Sequence, residues 1–414
     1  MSTNNPIFAH DLGRTFKVFT FDLYNYECEQ QFDGIDPRYF NHYSARSFLK
    51  AESNDLVILS PDKKSECAVT GLPFLREAGI GPQKENIIYI GMNDQDELFD
   101  PNNVLPIFNK YCRDSIIEPF SGMGALAHKI ARETGLKVHS PHPLLVRDVN
   151  GKDYFQNLKF DCIPEGSCFY NIKDAERYFK DNWKKAVAKS LHSTSGLSSA
   201  VIYSSGEGIN EALNLIRSGK KIVVQEYHDH DISPSVNFEI LKNGEVKFLF
   251  TSSQILSLSD LGTGVHEGNI CASGLSKEID QYIIDQSIDI CKKVAENGYF
   301  GPIGVDWIIS FNRGDWFAWA IEINPRVTAP RYPYEMNKKL NANSFGFENV
   351  HFQLNTTARQ IRNLLDNIYW RKDKKEGVLF YNFNGIDGKM IICAFGGCQE
   401  RVKELLTEAK NILT

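Results

Sequence analysis

One segment, Gly301–Pro330 (GPIGVDWIISFNRGDWFAWAIEINPRVTAP), constrains this chain more than any other. Gly304 to Ile309 reads as a buried strand rich in β-branched residues, Asn312-Arg313-Gly314-Asp315 supplies turn chemistry, and Trp316 to Ile323 reads as the returning strand. Side chains two apart on a strand share a face, so Glu322 and Asn324 project together between apolar Ile321 and Ile323. Asp306 joins them if the pairing is centred on Arg313 or Gly314, and a slip of one residue turns it away. Three oxygen donors on one face suit Mg²⁺, with Mn²⁺ as the alternative cation. Two acids on a hairpin also read as a solvated sheet face. Against that stand the apolar run before Glu322 and the Pro325-Arg326 pair after it, because an unpaired buried carboxylate is costly and a cation is its natural partner.

At 414 residues the chain is long enough for two or three domains. Its apolar and charged contents, 42% and 24%, are those of a globular protein. A net charge of -6 leaves no basic footprint for nucleic acid, so an anionic ligand needs a local positive site. No apolar run reaches the length of a membrane span, and Met1 to Arg14 lacks a signal peptide's apolar core, so a cytoplasmic protein is expected. The nine cysteines form no CxxC pair, which disfavours a disulfide framework and a zinc ribbon.

Residues 1–149 alternate short apolar strands (Phe16–Asp22, Asp55–Ser60, Asn86–Gly91) with helical stretches such as Gly122–Thr134. This predicts an α/β domain with a parallel sheet and no GxGxxG dinucleotide fingerprint. The texture changes at Val149-Asn150-Gly151-Lys152. Residues 150–370 are expected to carry strands at Lys185–His192, Ala200–Tyr203 and Lys221–Tyr227, and a hairpin turning at Lys242–Glu245. Helices are expected at Asp174–Asp181, at Glu207–Ser218 and over Lys277–Asn297, where Ile279, Ile283, Ile284, Ile288 and Val294 trace an apolar face that ends at Gly298. Residues 371–414 read as a small strand-strand-helix module.

Lys189 precedes the small-residue loop Ser193–Ser199, which contains Ser195 and Gly196, so an ammonium and a row of backbone N–H groups can converge on one anion. The same stretch also reads as a surface hairpin, and no GxxxxGK[ST] is present. Gln225-Glu226-Tyr227 ends a strand whose exposed main chain can meet a flat heterocycle, with Glu226 or Asp231 free to take hydroxyls. His228-Asp229-His230-Asp231 reads better as a solvated loop than as a metal cluster, because adjacent side chains on an extended chain point apart. His266-Glu267-Gly268-Asn269, Arg331 and Tyr332 are candidates for a substrate pocket.

The order Lys152, Lys189 with its loop, Gln225-Glu226-Tyr227, Asp306, then Glu322-Ile323-Asn324-Pro325-Arg326 resembles the ATP-grasp superfamily over about Asn150 to Asp366. The resemblance implies an ATP-grasp fold, α/β and α+β, with an N-terminal pre-ATP-grasp domain and a small C-terminal α+β module. It implies that Lys152, Lys189 and the loop hold the phosphates of ATP, that Gln225 to Tyr227 bind adenine, and that Asp306, Glu322 and Asn324 hold Mg²⁺. Arg326 would steer a substrate carboxylate or steady the charge of its acylphosphate. The loop departs from the family's pattern in having only Gly196 as glycine. The flanking modules resemble those of amide- or peptide-forming ligases, which implies an ADP-forming carboxylate–amine ligase with an amino acid as acyl donor. The alternatives are thioester formation on a carrier protein and a nucleotide-binding protein without catalysis.

Overall fold

The computed structural model describes residues 17–20, 37–59, 63–89, 115–120, 124–181, 185–191, 199–203, 205–258 and 264–414. The N-terminal strands are β1 (Lys17–Thr20), β2 (Leu56–Leu59), β3 (Ile87–Tyr89), β4 (Ile116–Pro119) and β5 (Lys137–Val138). They pair in parallel in the order β3-β2-β1-β4-β5, the parallel α/β arrangement that the short apolar runs predict.

A four-stranded antiparallel sheet follows, in the order β6-β9-β7-β8, from β6 (Gly166–Phe169), β7 (Ala186–Ser190), β8 (Ser199–Ile202) and β9 (Ile222–Glu226). The helices Ile172–Asp181 and Ile209–Arg217 bury Ala175, Phe179, Ala212 and Leu213 against one face of it. The other face is left open around Val187 and Lys189.

The largest sheet has eight strands in the order β14-β13-β10-β11-β12-β15-β17-β16. These are β10 (Pro234–Ile240), β11 (Val246–Leu258), β12 (Gly264–Ile270), β13 (Gly301–Asn312), β14 (Asp315–Asn324), β15 (Ser344–His351), β16 (Gly377–Asn384) and β17 (Lys389–Gly396). Along β10 the alternation is strict: Val236, Phe238 and Ile240 enter the core, while Ser235, Asn237 and Glu239 face the other way. The helix Lys277–Glu296 covers the core side, capped by the Ser276 hydroxyl on the Ile279 N–H and ended by Gly298 at φ 85°. It buries Ile279, Ile283, Ile290 and Val294, but Ile284 and Ile288 lie at the margin of its apolar face, and Ser287 takes a central place by accepting from Trp307 Nε1 at 2.9 Å.

The strand-strand-helix order over 371–414 is β16, β17 and the helix Gln399–Leu413. Its strands extend the large sheet by pairing β17 on β15, and the helix packs Val402, Leu405, Leu406 and Ala409 into the same core.

Candidate active site

The β13–β14 hairpin turns at Arg313 and Gly314, with φ of 51° and 98°. Both being positive is the geometry of a tight two-residue turn. Its ladder runs from Asn312↔Asp315 to Trp307↔Ala320, so the pairing is centred between Arg313 and Gly314 and not on either. Continued unchanged, that register would place Asp306 opposite Ile321 and turn it away from Glu322. A bulge between Asp306 and Trp307 absorbs Ile321 as an extra residue, and beyond it Asp306 pairs with Glu322 and Gly304 with Asn324. The bulge thereby restores the shared face.

Around this face the four-stranded sheet and the large sheet enclose a cleft of about 280 Å³. The smaller sheet contributes Val187 and Lys189 from β7, their partners Val201 and Ser199 from β8, and Gln225 and Glu226 from β9. The larger contributes Asp306, Ile308, Glu322 and Asn324, with Ser235, Gln254, Leu256, His266 and Asn269 from neighbouring strands. Lys152 and Arg326 also line it. Lys152 opens the short helix Lys152–Gln156 and is fixed to the end of β7 by its N–H, which donates to Leu191 O at 3.1 Å.

The charges are interlocked. Lys152 Nζ lies 3.1 Å from Glu322 Oε1, and Asn324 Nδ2 donates to Asp306 Oδ2 at 2.9 Å. Lys189 Nζ reaches the carbonyl of the bulged Ile321 at 3.5 Å. Burial, reinforced by the facing Glu322 carboxylate, pushes Asp306 up to about 6. Burial acts the same way on Glu322, but Lys152, Lys189 and Arg326 outweigh it and hold Glu322 below the usual carboxylate range. Burial brings Lys189 down to about 8, against the pull of Glu322 and with the push of Lys152. Two opposed carboxylates, one of them short of compensating charge, with an amide beside them, fit a hard divalent cation that shares its remaining positions with phosphate and water. Among the described residues no group of three or more His, Cys, Asp and Glu could hold a metal, so any ion here depends on Asn324 and its ligand for the rest of its shell.

Arg326 sits two residues past β14, and its Nε is buried without a hydrogen-bond partner among the described residues. An unsatisfied buried donor is costly, so this position suits an anion in the cleft. The approach of the chain after β14 depends on Gly304: a Cβ there would stand 2.7 Å from Thr328 Cγ2. Thr328 Oγ1 in turn donates to Asn237 Oδ1 at 2.6 Å.

At the other end, the N–H groups of Glu226 and Tyr227 donate to Glu165 O at 2.8 Å and Lys185 O at 3.0 Å. Those two donors hold the sheet together and are not offered to a ligand. The Gln225 amide is held by Gln156 Oε1 at 2.8 Å. His228 lines the cleft and stacks on Trp319 with centroids 3.9 Å apart and planes at 8°, a flat aromatic contact the sequence did not announce.

Several expected site residues stand elsewhere. Asp231 is not on the cleft: its carboxylate accepts from the Phe311 N–H at 2.8 Å and ties the loop to the edge of β13. Glu267 accepts from the Ser257 hydroxyl at 2.9 Å. Arg331 is buried in ion pairs with Glu335 and Glu239, and the Tyr332 hydroxyl donates to Phe120 O, so neither lines the pocket. Ser195 and Gly196 lie outside the described residues. Among the cleft residues that sequence reasoning missed, Ser235, Gln254 and Leu256 come from β10 and β11. A signal existed for Ser235 in the polar alternation of PSVNFEI, and the ladder sets it opposite Asp306.

No protein-family model matches the chain, and no curated protein matches it by sequence. Solved structures do match. Biotin carboxylase from Campylobacter jejuni, in complex with β,γ-ATP, aligns with a TM-score of 0.64 at 10% identity, covering 98% of this chain and 92% of that one. The biotin carboxylase domain of 2-oxoglutarate carboxylase from Hydrogenobacter thermophilus, in complex with MgADP, ADP and bicarbonate, gives 0.59 at 14% identity over 96% and 90%. Carboxyaminoimidazole ribonucleotide synthase from Aspergillus clavatus, complexed with ATP, gives 0.59 at 10% over 96% and 98%. Among the described residues no helix is long and apolar enough to cross a membrane. At these identities the likeness is one of fold, and it extends over nearly the whole length: the chain has the ATP-grasp fold.

Proposed function

We propose that the chain is an ATP-dependent ligase that activates a small carboxylate as its acylphosphate, releases ADP, and passes the acyl group to an amine. The observation that supports this most is the arrangement in one cleft of two lysines, two opposed carboxylates and Arg326, whose Nε has no partner among the described residues. All of them fall within 150–370, the unit expected to be the ATP-grasp domain. ATP and ADP are bound by the similar solved structures, and one of them also holds a bicarbonate anion.

Lys152 and Lys189 supply fixed positive charge for the phosphates, close to where the leaving diphosphate gathers charge. Asp306, Glu322 and Asn324 would hold Mg²⁺, which when bound neutralises the phosphate oxygens. Arg326 orients the donor carboxylate, so that its oxygen faces the terminal phosphorus of ATP, and keeps that geometry as the acyl carbon becomes electrophilic. No side chain is needed as a covalent nucleophile. The Val187, Val201 and Ile308 side chains form apolar walls suited to a flat base, with His228 beside them. An amino acid is the donor implied by the sequence resemblance of the flanking modules to amide-forming ligases, and it is the first class to try.

The test is ADP release in the presence of ATP, Mg²⁺ and a panel of carboxylates that includes the amino acids, with hydroxylamine as a trap. Donor-dependent ADP and hydroxamate are expected. A protein that binds ATP yet releases no ADP with any donor would contradict the proposal.

A further inference from the structure

We propose that His266 is the general base of the amide-forming step, taking the proton of an incoming ammonium group; this rests on the ligase reading above. His266 lies on β12, opposite Leu256, where the β11–β12 ladder is bulged between Ile255 and Leu256. It is half-buried and lines the cleft. Its Nε2 is 2.6 Å from Asn269 Oδ1, and an amide oxygen only accepts, so Nε2 carries the ring proton. Asn269 is itself buried and donates through Nδ2 to the buried Ser252 Oγ at 3.0 Å, which fixes the amide and with it the ring. Nδ1 makes no hydrogen bond among the described residues, which leaves its lone pair to take a proton. The strand cannot drift: a Cβ on Gly268 would fall 2.0 Å from Phe347 O, so β12 is pressed against β15.

The surroundings keep the ring neutral. Burial lowers its pKa below the ordinary imidazole value, and the guanidinium groups of Arg326, from the exit of β14, and Arg46, from the segment Pro37–Leu49, add to that. The hydrogen bond to Asn269 and the Glu267 carboxylate on the same strand act in the other direction and do not overcome it. The other imidazoles and carboxylates of the cleft are placed for other tasks: Asp306 and Glu322 form the cation set, and Glu226, His228 and His230 belong to the end near Tyr227. Among the described cleft residues His266 is therefore the imidazole left as a proton acceptor, and it lines the same cleft as Arg326, the residue assigned to the acyl group.

Amines reach an enzyme near neutral pH as ammonium ions and cannot attack until a proton leaves. That proton goes to His266 Nδ1. The nitrogen lone pair then forms the C–N bond while the C–O bond to phosphate breaks. The departing phosphate keeps the electron pair of that bond and takes the second proton of the nitrogen, leaving a neutral amide, hydrogen phosphate and imidazolium.

The experiment compares two acceptors on wild type and His266→Gln. Hydroxylamine is already uncharged near neutral pH and needs no base, whereas glycinamide and the amino acids arrive largely as cations. With any donor that gives hydroxamate, the substitution should leave hydroxamate formation within about threefold and lower amide formation by about 100-fold or more. Added imidazole should restore part of the amide rate. At a fixed total amine concentration the wild-type amide rate should hold level below the amine's own pKa until the imidazole is protonated, whereas the variant's rate should fall about tenfold per pH unit throughout that range. Equal loss of both products, or no loss of amide, would overturn the assignment. So would a wild type that makes hydroxamate but no amide with any amine of the panel. Absence of hydroxamate from wild type with every donor would instead refute the ligase reading on which the assignment stands.

Discussion

Asp306 stands directly opposite Glu322 across β13 and β14 because Ile321 is bulged out between two registers of the same hairpin. The bulge also places the Ile321 carbonyl within reach of Lys189, so one extra residue sets both the carboxylate pair and a contact of the buried lysine. Replacing Glu322 with Gln keeps its size and removes the charge that opposes Lys152 and completes the carboxylate pair. Turnover should fall by at least about 100-fold with an unchanged circular dichroism spectrum. Asp306→Asn should lose activity equally while raising the melting temperature of the metal-free protein, because it relieves the repulsion between two facing carboxylates. Full activity in either variant would rule out this cation set.

Arg326 offers a planar fork, and Lys offers only a point charge. Arg326→Lys should raise the KM for the donor carboxylate and lower kcat/KM by about 10- to 100-fold, with the KM for ATP changed little. Steady-state kinetics against each substrate in turn checks this. A change confined to ATP would place Arg326 at the wrong substrate.

The stack of His228 on Trp319 lies beside the apolar walls assigned to the base. His228→Ala should weaken ATP binding by about 1 kcal/mol, raising its KM roughly fivefold with kcat preserved. ATP titration of wild type should also alter tryptophan fluorescence, and Trp319→Phe should remove most of that change.

Arg331, one candidate for the substrate pocket, is structural. Its Nε donates to Glu335 Oε1 at 2.8 Å and its Nη2 to Glu239 Oε2 on β10 at 3.1 Å. Glu335→Gln should cost about 3 kcal/mol, because it leaves a buried guanidinium without its main partner. Burial opposes ionisation of Glu335, but Arg331, Lys50 and Lys338 hold its pKa below the ordinary carboxylate value. A depressed carboxylate pKa gives stability that is present above the unfolded value and lost as pH falls through the folded one. The difference in melting temperature between wild type and Glu335→Gln should therefore be full near neutral pH and shrink below the usual carboxylate range.

What the sequence disclosed follows from what is local in it. The hairpin was legible because its turn and its alternating strands are written in consecutive residues, and Glu322 and Asn324 share a face by strand period alone. The parallel N-terminal sheet was legible from short apolar runs at helical separations. The bulge at Ile321 was not, since no residue type marks it and it shows only in the pairing of β13 with β14. Asp231 was misplaced for a similar reason: a carboxylate near a strand end can meet a ligand or a backbone N–H, and only the position of Phe311 decides. The role of Asn269 in orienting His266 needs β11 and β12 side by side, which neither strand announces.

Activation of a carboxylate by phosphorylation leaves a mark in the products, because one of its oxygens departs with the phosphate. It is tested most directly by supplying the donor with isotope-labelled carboxylate oxygens and analysing the products. The expected products are ADP and a phosphate that carries one labelled oxygen from the donor. Labelled AMP released with pyrophosphate, or ADP with phosphate free of label, would contradict it.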